Sequence, residues 1–548
     1  MDSLYYPFSD LNRCTKTGRK CGGYVPAKPA FEVRVFSQPS TSISFLKTLS
    51  TLPGSSEHVH YLEFYHYCAS PTLSNQFDSE FWSRICLQMA HSEPAVRHAL
   101  IALGCLNKHQ TGSLKNARQG FANEKQQKTL FLHYNKSIRH LVHRMAESSY
   151  SAEIGLVSCV LFMCIEFLRA DSHAAFVHLR NGLKIIAQLR RRCGTALLRE
   201  DTEANQSGST SSPDMIEGKI VPMFIRGMAS ALLYGMPVED DFPIPSPSFH
   251  SLQTRPFNSI LEAQSVYHDF RNTAIVFTRR MAFKLIRGLP VTAEDLACQK
   301  EILKCHREWY RALQQHLESV LDLSSHDKVI LSLLKASYHS TYIISACATD
   351  VGEITYDVHL SGFKELICHV RIVLDSMELG ENWAKRSHRA AAANFTFDVS
   401  IIPPLYFTAC RCRCPVTRRK ALSLLKVNPP REGLYDAEQH AIVCSRMIEI
   451  EESEVDGRGW PTWKTRLWNT VIDVDIDEAG GFWVHFLPAR FVGVVDGNGR
   501  QKLKSERLVL GETTTFRPGT SHDIDLPELS TGLNQADAIH RHWQNLRD

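Results

Sequence analysis

Apolar residues recur with the period of a helix along most of this chain. In SEPAVRHALIALGCLNKH, from Ser92 to His109, residues Val96, Ala99, Leu100, Leu103 and Leu106 fall on one face, and Ile101 and Cys105 widen it. That breadth predicts a buried helix, with Ser92 as its cap and Pro94 in a first turn where a missing N–H costs nothing. A second stripe, Leu130, Tyr134, Ile138, Leu141, Val142 and Met145, lies opposite Lys136, Arg139, His140, His143 and Arg144. It predicts an amphipathic helix with the apolar set turned inward. A third helix is predicted from Ile154 to about Leu168. A fourth runs from about His173 to Arg192 with Ala175, Leu179, Gly182, Ile186 and Leu189 inward. It closes on RRRCG, where positive charge suits the end of the helix dipole and Gly194 stops the helix.

Short joints between these segments predict an antiparallel helical array. The polar stretch TEANQSGSTSSPD, about residues 202–214, is predicted to interrupt it as a disordered loop, and helical patterning resumes at Lys219 and continues to about Glu452. The period then changes to two. Ile472, Val474 and Ile476 alternate with Asp473, Asp475 and Asp477, a turn follows at Gly480-Gly481, and Phe482, Val484 and Phe486 alternate again. A β-hairpin is predicted there, with a second hairpin turning at Asp496 to Gly499. The fold class is therefore mainly α, a helical array closed by a small C-terminal antiparallel β unit.

Composition changes this picture little. The chain has 548 residues, 43% of them hydrophobic and 22% charged, which is the make-up of an ordinary globular protein. A formal net charge of +4 provides no global basic field, so any nucleic-acid contact must come from a local patch. The sixteen cysteines are irregularly spaced and sit mostly in apolar runs, which reads as reduced, intracellular thiols. No signal peptide opens the chain, and the longest apolar run, Leu156 to Ile165, ends at Glu166, well short of the roughly 20 residues a bilayer crossing needs. The expectation is a soluble protein with no membrane partner.

Catalytic motifs are absent from the sequence: it holds no HExxH, GxSxG, P-loop or dinucleotide fingerprint, and SLLK at Ser332 and Ser423 lacks companion motifs. The aspartate series from Asp473 fails as a calcium loop, because Glu478 and Val484 stand where glycine and a bidentate glutamate belong. CRCRCP, with Cys410, Cys412 and Cys414, has alternate-residue spacing that suits packing better than zinc. His133, His140 and His143 read as residues of a solvated face. No enzyme is expected.

One stretch remains pointed. In NRCTKTGRKCGGYVP, Cys14 and Cys21 flank six residues that include Lys16, Arg19 and Lys20 around a Thr17-Gly18 turn. Two cysteines close only half of a tetrahedral zinc site. The stretch resembles the last loop of the fungal binuclear zinc cluster transcription factors, in which six cysteines hold two zinc ions. FYHYCASPTLSNQFDSEFWSRICLQMAHSEPAVRHALIALGCL, VLFMCIEFLRADSHAAFVHLRNGLKII, IIPPLYFTACRCRCP and REGLYDAEQHAIV look like the regulatory region of that family.

The resemblance implies a nuclear, sequence-specific transcriptional regulator with zinc as cofactor and with DNA and the transcription machinery as partners. Cys14 and Cys21 match the fifth and sixth ligands, and Lys16, Arg19 and Lys20 would contact phosphate at most. Leu11 stands where the fourth ligand belongs and Gly22 replaces the usual aspartate, so four of six ligands are absent. Cluster formation, with a binding energy on the order of 10 kcal/mol in comparable modules, is not expected of this sequence. Met1 to Leu11 is accordingly expected not to be the natural beginning, with the missing cysteines encoded upstream. The implied organisation is a zinc-cluster remnant (1–21), a flexible linker (22–57), a helical regulatory domain (58–452) and a C-terminal extension with β-hairpins (453–548). The alternative is a helical interaction scaffold derived from such a factor that does not bind DNA.

Overall fold

The computed structural model describes residues 59–73, 78–120, 123–197, 215–236, 255–320, 322–377, 391–473, 475–477, 479–492, 502–511 and 522–525. All belong to one compact unit, Ser55–Asp548. Cys14, Lys16, Arg19, Lys20, Cys21, the 22–57 segment and the 202–214 loop lie outside the described residues.

The unit is mostly helical. Val59–Phe64, a π-turn at Tyr65–Ala69 and Ser70–Leu73 run on as α1, and Phe81–Ile85 with Cys86–Ser92 forms α2. Then come α3 (Pro94–His109), α4 (Leu114–Gln119), α5 (Glu124–Met145), α6 (Ala152–Leu168) and α7 (Ser172–Leu197). A π-turn at Ile216–Ile220 leads into α8 (Val221–Tyr234), and α9 (Ile260–Ile286), α10 (Ala293–Ser319), α11 (Ser325–Ala346) and α12 (Leu360–Ser376) follow. After β1 (Phe395–Thr396) come α13 (Ile402–Arg411), α14 (Pro415–Leu425), β2 (Arg431–Glu432) and α15 (Ala437–Glu451).

Two helices form the centre of the N-terminal half. Every residue of α6 from Ile154 to Leu168 is buried, and so is most of α3, including all seven positions on its widened apolar face. A helix that is apolar all round has no side for water, so it packs as a core helix. Start signals behave as their chemistry requires. Ser151, Ser259 and Ser324 each accept an N–H of the first turn, and Thr292 and Asp295 complete a reciprocal capping box on α10.

Three expectations need correction. Ser92 does not cap α3. It closes α2, with Oγ turned back to the Met89 carbonyl, and Glu93 is the N-cap residue. Helix α7 runs past Gly194 to Leu197, because one glycine costs only about 1 kcal/mol in a helix and does not force a stop. Half of the stripe on α5 is turned outward: the helix buries Thr129, Leu130, His133 and Ser137, while Ile138, Val142 and Met145 are exposed and Tyr134 and Leu141 are half-buried. Polar partners fix that rotation. Ser137 donates to the Ala95 carbonyl at 2.6 Å, and Nδ1 of His133 lies 2.9 Å from Nδ1 of His98 on α3.

The C-terminal sheet is antiparallel, in the order β3 (Leu467–Ile472), β4 (Gly481–Pro488), β5 (Lys502–Val509) and β6 (His522–Asp525). The hairpin pairs Ile472 with Val484 and turns at Gly480, whose φ of +86° favours glycine. Its first strand lies earlier in the chain than the alternation places it, and Asp473, Asp475 and Asp477 belong to the connection. Asp477 accepts N–H groups from Ala479 and Gly481 and pairs with Arg507, so its carboxylate is satisfied within the turn. The predicted second turn at Asp496 to Gly499 lies outside the described residues, though the strands that flank it are paired.

Candidate functional site

Residues far apart in sequence converge on the short segment REGLYDAEQH, from Arg431 to His440. Arg431 is 2% exposed, and its guanidinium donates to carbonyls rather than to a carboxylate: Gly112 at 2.6 Å, Phe167 at 2.9 Å, Leu168 at 2.7 Å and Gly433 at 3.0 Å. Phe167 and Leu168 end α6, so the cation sits where the helix dipole is negative and orphan carbonyls need donors. Burial nevertheless draws its pKa down to about 10.

Glu432 does the reverse for α13. Its carboxylate accepts N–H from Ser400, Ile401 and Ile402 at 2.9–3.1 Å, capping a helix start from a remote strand. Burial pushes its pKa up, and those donors oppose the push. Asp436 caps α15 through Gln439 N–H at 3.0 Å and takes the Leu114 N–H of α4 at 3.0 Å with its other oxygen. Gly433 allows the chain to turn between these roles: its φ is +56°, and a Cβ there would meet Ser230 Oγ at 3.3 Å. The parallel pairing of β1 with β2 sets Phe395 beside Arg431. The same strand region ties down α1, since Phe397 N–H and the Thr396 hydroxyl both donate to the Leu73 carbonyl.

Beside this hub runs a polar seam between α8 and α9. Arg226 donates Nε–H to Asp398 at 3.0 Å and pairs with Asp78, and Asn272 donates to the Ile225 carbonyl at 2.9 Å. Arg271, 9% exposed, has no hydrogen bond or ion pair among the described residues. Its guanidinium carbon lies 5.9 Å from the centre of the Tyr267 ring, and burial lowers its pKa. Burial drives His268 well below the usual histidine range, with Arg271 and Arg226 adding to the effect, so it is neutral. The seam therefore brings a desolvated guanidinium close to a second arginine and its two carboxylates.

A second buried ionic group explains CRCRCP. The cysteines face apolar clusters, with Cys410 Sγ 3.7 Å from Cys444 Sγ, and the arginines between them reach buried carboxylates. Arg411 meets Glu353 at 2.6 Å, Arg413 meets Glu451 at 2.9 Å, and Arg418 meets the other oxygen of Glu451 at 2.6 Å. Burial favours the neutral form of Glu451, but Arg413, Arg418 and the Leu467 N–H outweigh it, and its pKa is lowered. No group of three or more His, Cys, Asp or Glu among the described residues is placed to hold a metal ion. His133 is buried against His98 rather than on the solvated face with His140 and His143. The sequence motif carried the hub residues, yet no local pattern announced their tasks, because their partners lie hundreds of positions away.

No helix among the described residues is long and apolar enough to cross a membrane. Against known proteins, no solved structure matches the chain. A stretch of 209 residues is 29% identical to the aspercryptin biosynthesis cluster-specific transcription regulator of Emericella nidulans, covering 33% of this chain and 32% of that protein. The chain thus spans about a third of the length of the curated relative it matches. Residues 60–223, from α1 to the start of α8, match the model of the fungal specific transcription factor domain.

Proposed function

We propose that the chain is a transcriptional regulator of the fungal zinc cluster type, acting in the nucleus through a helical regulatory region. The observation that carries the reading is the match of residues 60–223 to the fungal specific transcription factor domain. The similarity to a cluster-specific transcription regulator supports it, and both point to regulation of transcription rather than to catalysis. In this reading residues 58–452 receive effectors or partner proteins, and Arg271 in the α8–α9 seam is the group suited to an anionic effector. The 22–57 segment links that region to a metal loop in which Cys14 and Cys21 are zinc ligands and Lys16, Arg19 and Lys20 contact phosphate. In this reading output passes through the helical region and its partners, the transcription machinery among them.

The test is DNA affinity as a function of salt, measured together with zinc content. A chain that neutralises several phosphates loses affinity steeply as salt rises. The expected result is fewer than two zinc ions per molecule and weak, salt-sensitive binding that Arg19→Ala reduces. Binding that is absent at all salt concentrations would transfer the function to the alternative, an interaction scaffold derived from such a factor.

A further inference from the structure

The outward face of α5 is apolar where an outward face is ordinarily polar. Phe131 is 38% exposed, Ile138 37%, Val142 61% and Met145 53%. At 100° per residue these four fall within an arc of about 60°, and at 1.5 Å per residue they extend about 21 Å along the helix. The rotation of the helix is locked by the adjacent flank, where Leu130, His133 and Ser137 are buried. Tyr134 closes one edge through a 2.9 Å hydrogen bond to His178 of α7.

Charge distinguishes the other edge. Arg139, about 60° round the helix from Val142, borders the seam and makes no ion pair among the described residues, with His143 and Lys136 farther round. The nearby carboxylates are already engaged, Glu124 with Lys128 at 2.6 Å and Glu147 with Arg144 at 2.8 Å. The border is therefore cationic and unanswered.

We propose that this seam docks one acidic amphipathic helix of a partner protein, with the partner's apolar anchors on Phe131, Ile138, Val142 and Met145 and a carboxylate on Arg139. The width of the seam suits a single helix read through anchors at i, i+3, i+4 and i+7. A second copy of this chain fits poorly, because a two-fold axis through the middle of the seam, near Ile138, would set Arg139 beside its own copy. A membrane surface fits poorly as well: interfacial helices bury a whole apolar face, whereas α5 offers an apolar arc of about 60° and packs another side on α3. The inference does not depend on DNA binding, and its test contains no DNA.

The experiment uses the full chain and a fluorescent synthetic peptide of about 20 residues, with Leu and Phe at helical spacing and Glu and Asp elsewhere, enough for five turns. A scrambled peptide of equal composition is the control. Saturable binding to the patterned peptide alone is expected. It should weaken about tenfold with Val142→Asp and with Arg139→Glu, and should fall as salt is raised from about 50 to about 200 mM. Val142 is 61% exposed, so its substitution should leave melting unchanged and a loss of binding can be read as a loss of contact. Equal binding of the scrambled peptide, or indifference to both substitutions, overturns the proposal. Failure to bind peptide accompanied by binding to phosphatidylserine vesicles, or by dimerisation that Val142→Asp abolishes, overturns it in favour of a lipid surface or a second copy.

Discussion

Two buried sets of arginines differ in what surrounds them. Around Glu451 each cation has a carboxylate: Arg413 and Arg418 occupy its two oxygens, and Arg411 and Arg413 share Glu353. In the α8–α9 seam, Arg226 takes both Asp78 and Asp398, and Arg271 has neither. The burial is comparable, the bookkeeping is not. Taking a guanidinium out of water costs several kcal/mol, which carboxylates and carbonyl acceptors offset when present. The first set is consequently a clamp, holding α13, α14, α15 and β3 in one arrangement. The second keeps a cation whose desolvation outweighs the attraction of Tyr267 and Asp398, and strongly perturbed groups of this kind are enriched at binding sites.

Breaking the clamp should have the largest effect. Glu451→Gln leaves Arg413 and Arg418 buried without their anion, and removal of one partner from a buried pair typically costs about 3–5 kcal/mol. Denaturant unfolding should show that loss, and hydrogen exchange should place it in α13 to α15. Arg431→Ala should come close behind at about 3 kcal/mol, since the carbonyls of Gly112, Phe167 and Leu168 would lose their donors together. Wild-type stability in either variant would mean that these charges are solvated more than their packing indicates.

Acidity separates regions without mutation. Burial lowers His178, His306, His339 and His485 to about 4 each, with His369 and Lys335 assisting at His339 and Arg307 at His306. Their unfolded value is about 6.5, so between about 6.5 and about 4 the unfolded chain binds protons that the folded chain refuses. Stability must then fall as pH drops through that window, by an amount on the order of a few kcal/mol by about pH 5. Glu451 responds in the opposite sense to its own window: its lowered pKa gives stability that is present above the ordinary glutamate value and is lost only as pH falls below it. Melting at pH 7 and pH 5 should therefore show a decrease, with exchange rising first around His306 and His339 and the Glu451 clamp unaffected. A flat melting temperature over that range would show that the histidines are hydrated.

The sequence made some of this legible. Helix α6 could be read because it is apolar all round, and no rotation of it exposes a different kind of surface. Helix α5 could not, because its orientation depends on whether Ser137 and His133 find partners on α3, and those are tertiary facts. Periodicity located the hairpin but not its first strand: the Asp473 to Asp477 alternation mimics a pleat while its side chains serve a turn. REGLYDAEQH was recognisable as a pattern. That Arg431 ends α6, Glu432 starts α13 and Asp436 starts both α4 and α15 was not, since each bond spans the chain rather than a local window.

The smallest expected effect sharpens the comparison most. Arg271→Met keeps the length and apolar stem of the side chain and removes a charge that has no hydrogen-bond partner among the described residues. Where a buried pair is broken, substitution is costly; where burial outweighs the attraction of nearby groups, as for Arg271, loss of the charge removes a net desolvation penalty. The folded state should therefore be unchanged or more stable by up to about 1 kcal/mol, in contrast to Arg226→Met, which would strand Asp398 and Asp78 and should cost about 3 kcal/mol. Parallel denaturant titrations of the two variants provide the measurement. If Arg271→Met destabilises as much as Arg226→Met, the attraction of Asp398 outweighs the burial of Arg271 and the seam is a second clamp. If it stabilises, the chain is carrying an unfavourable charge at a place where recognition of an anion would account for keeping it.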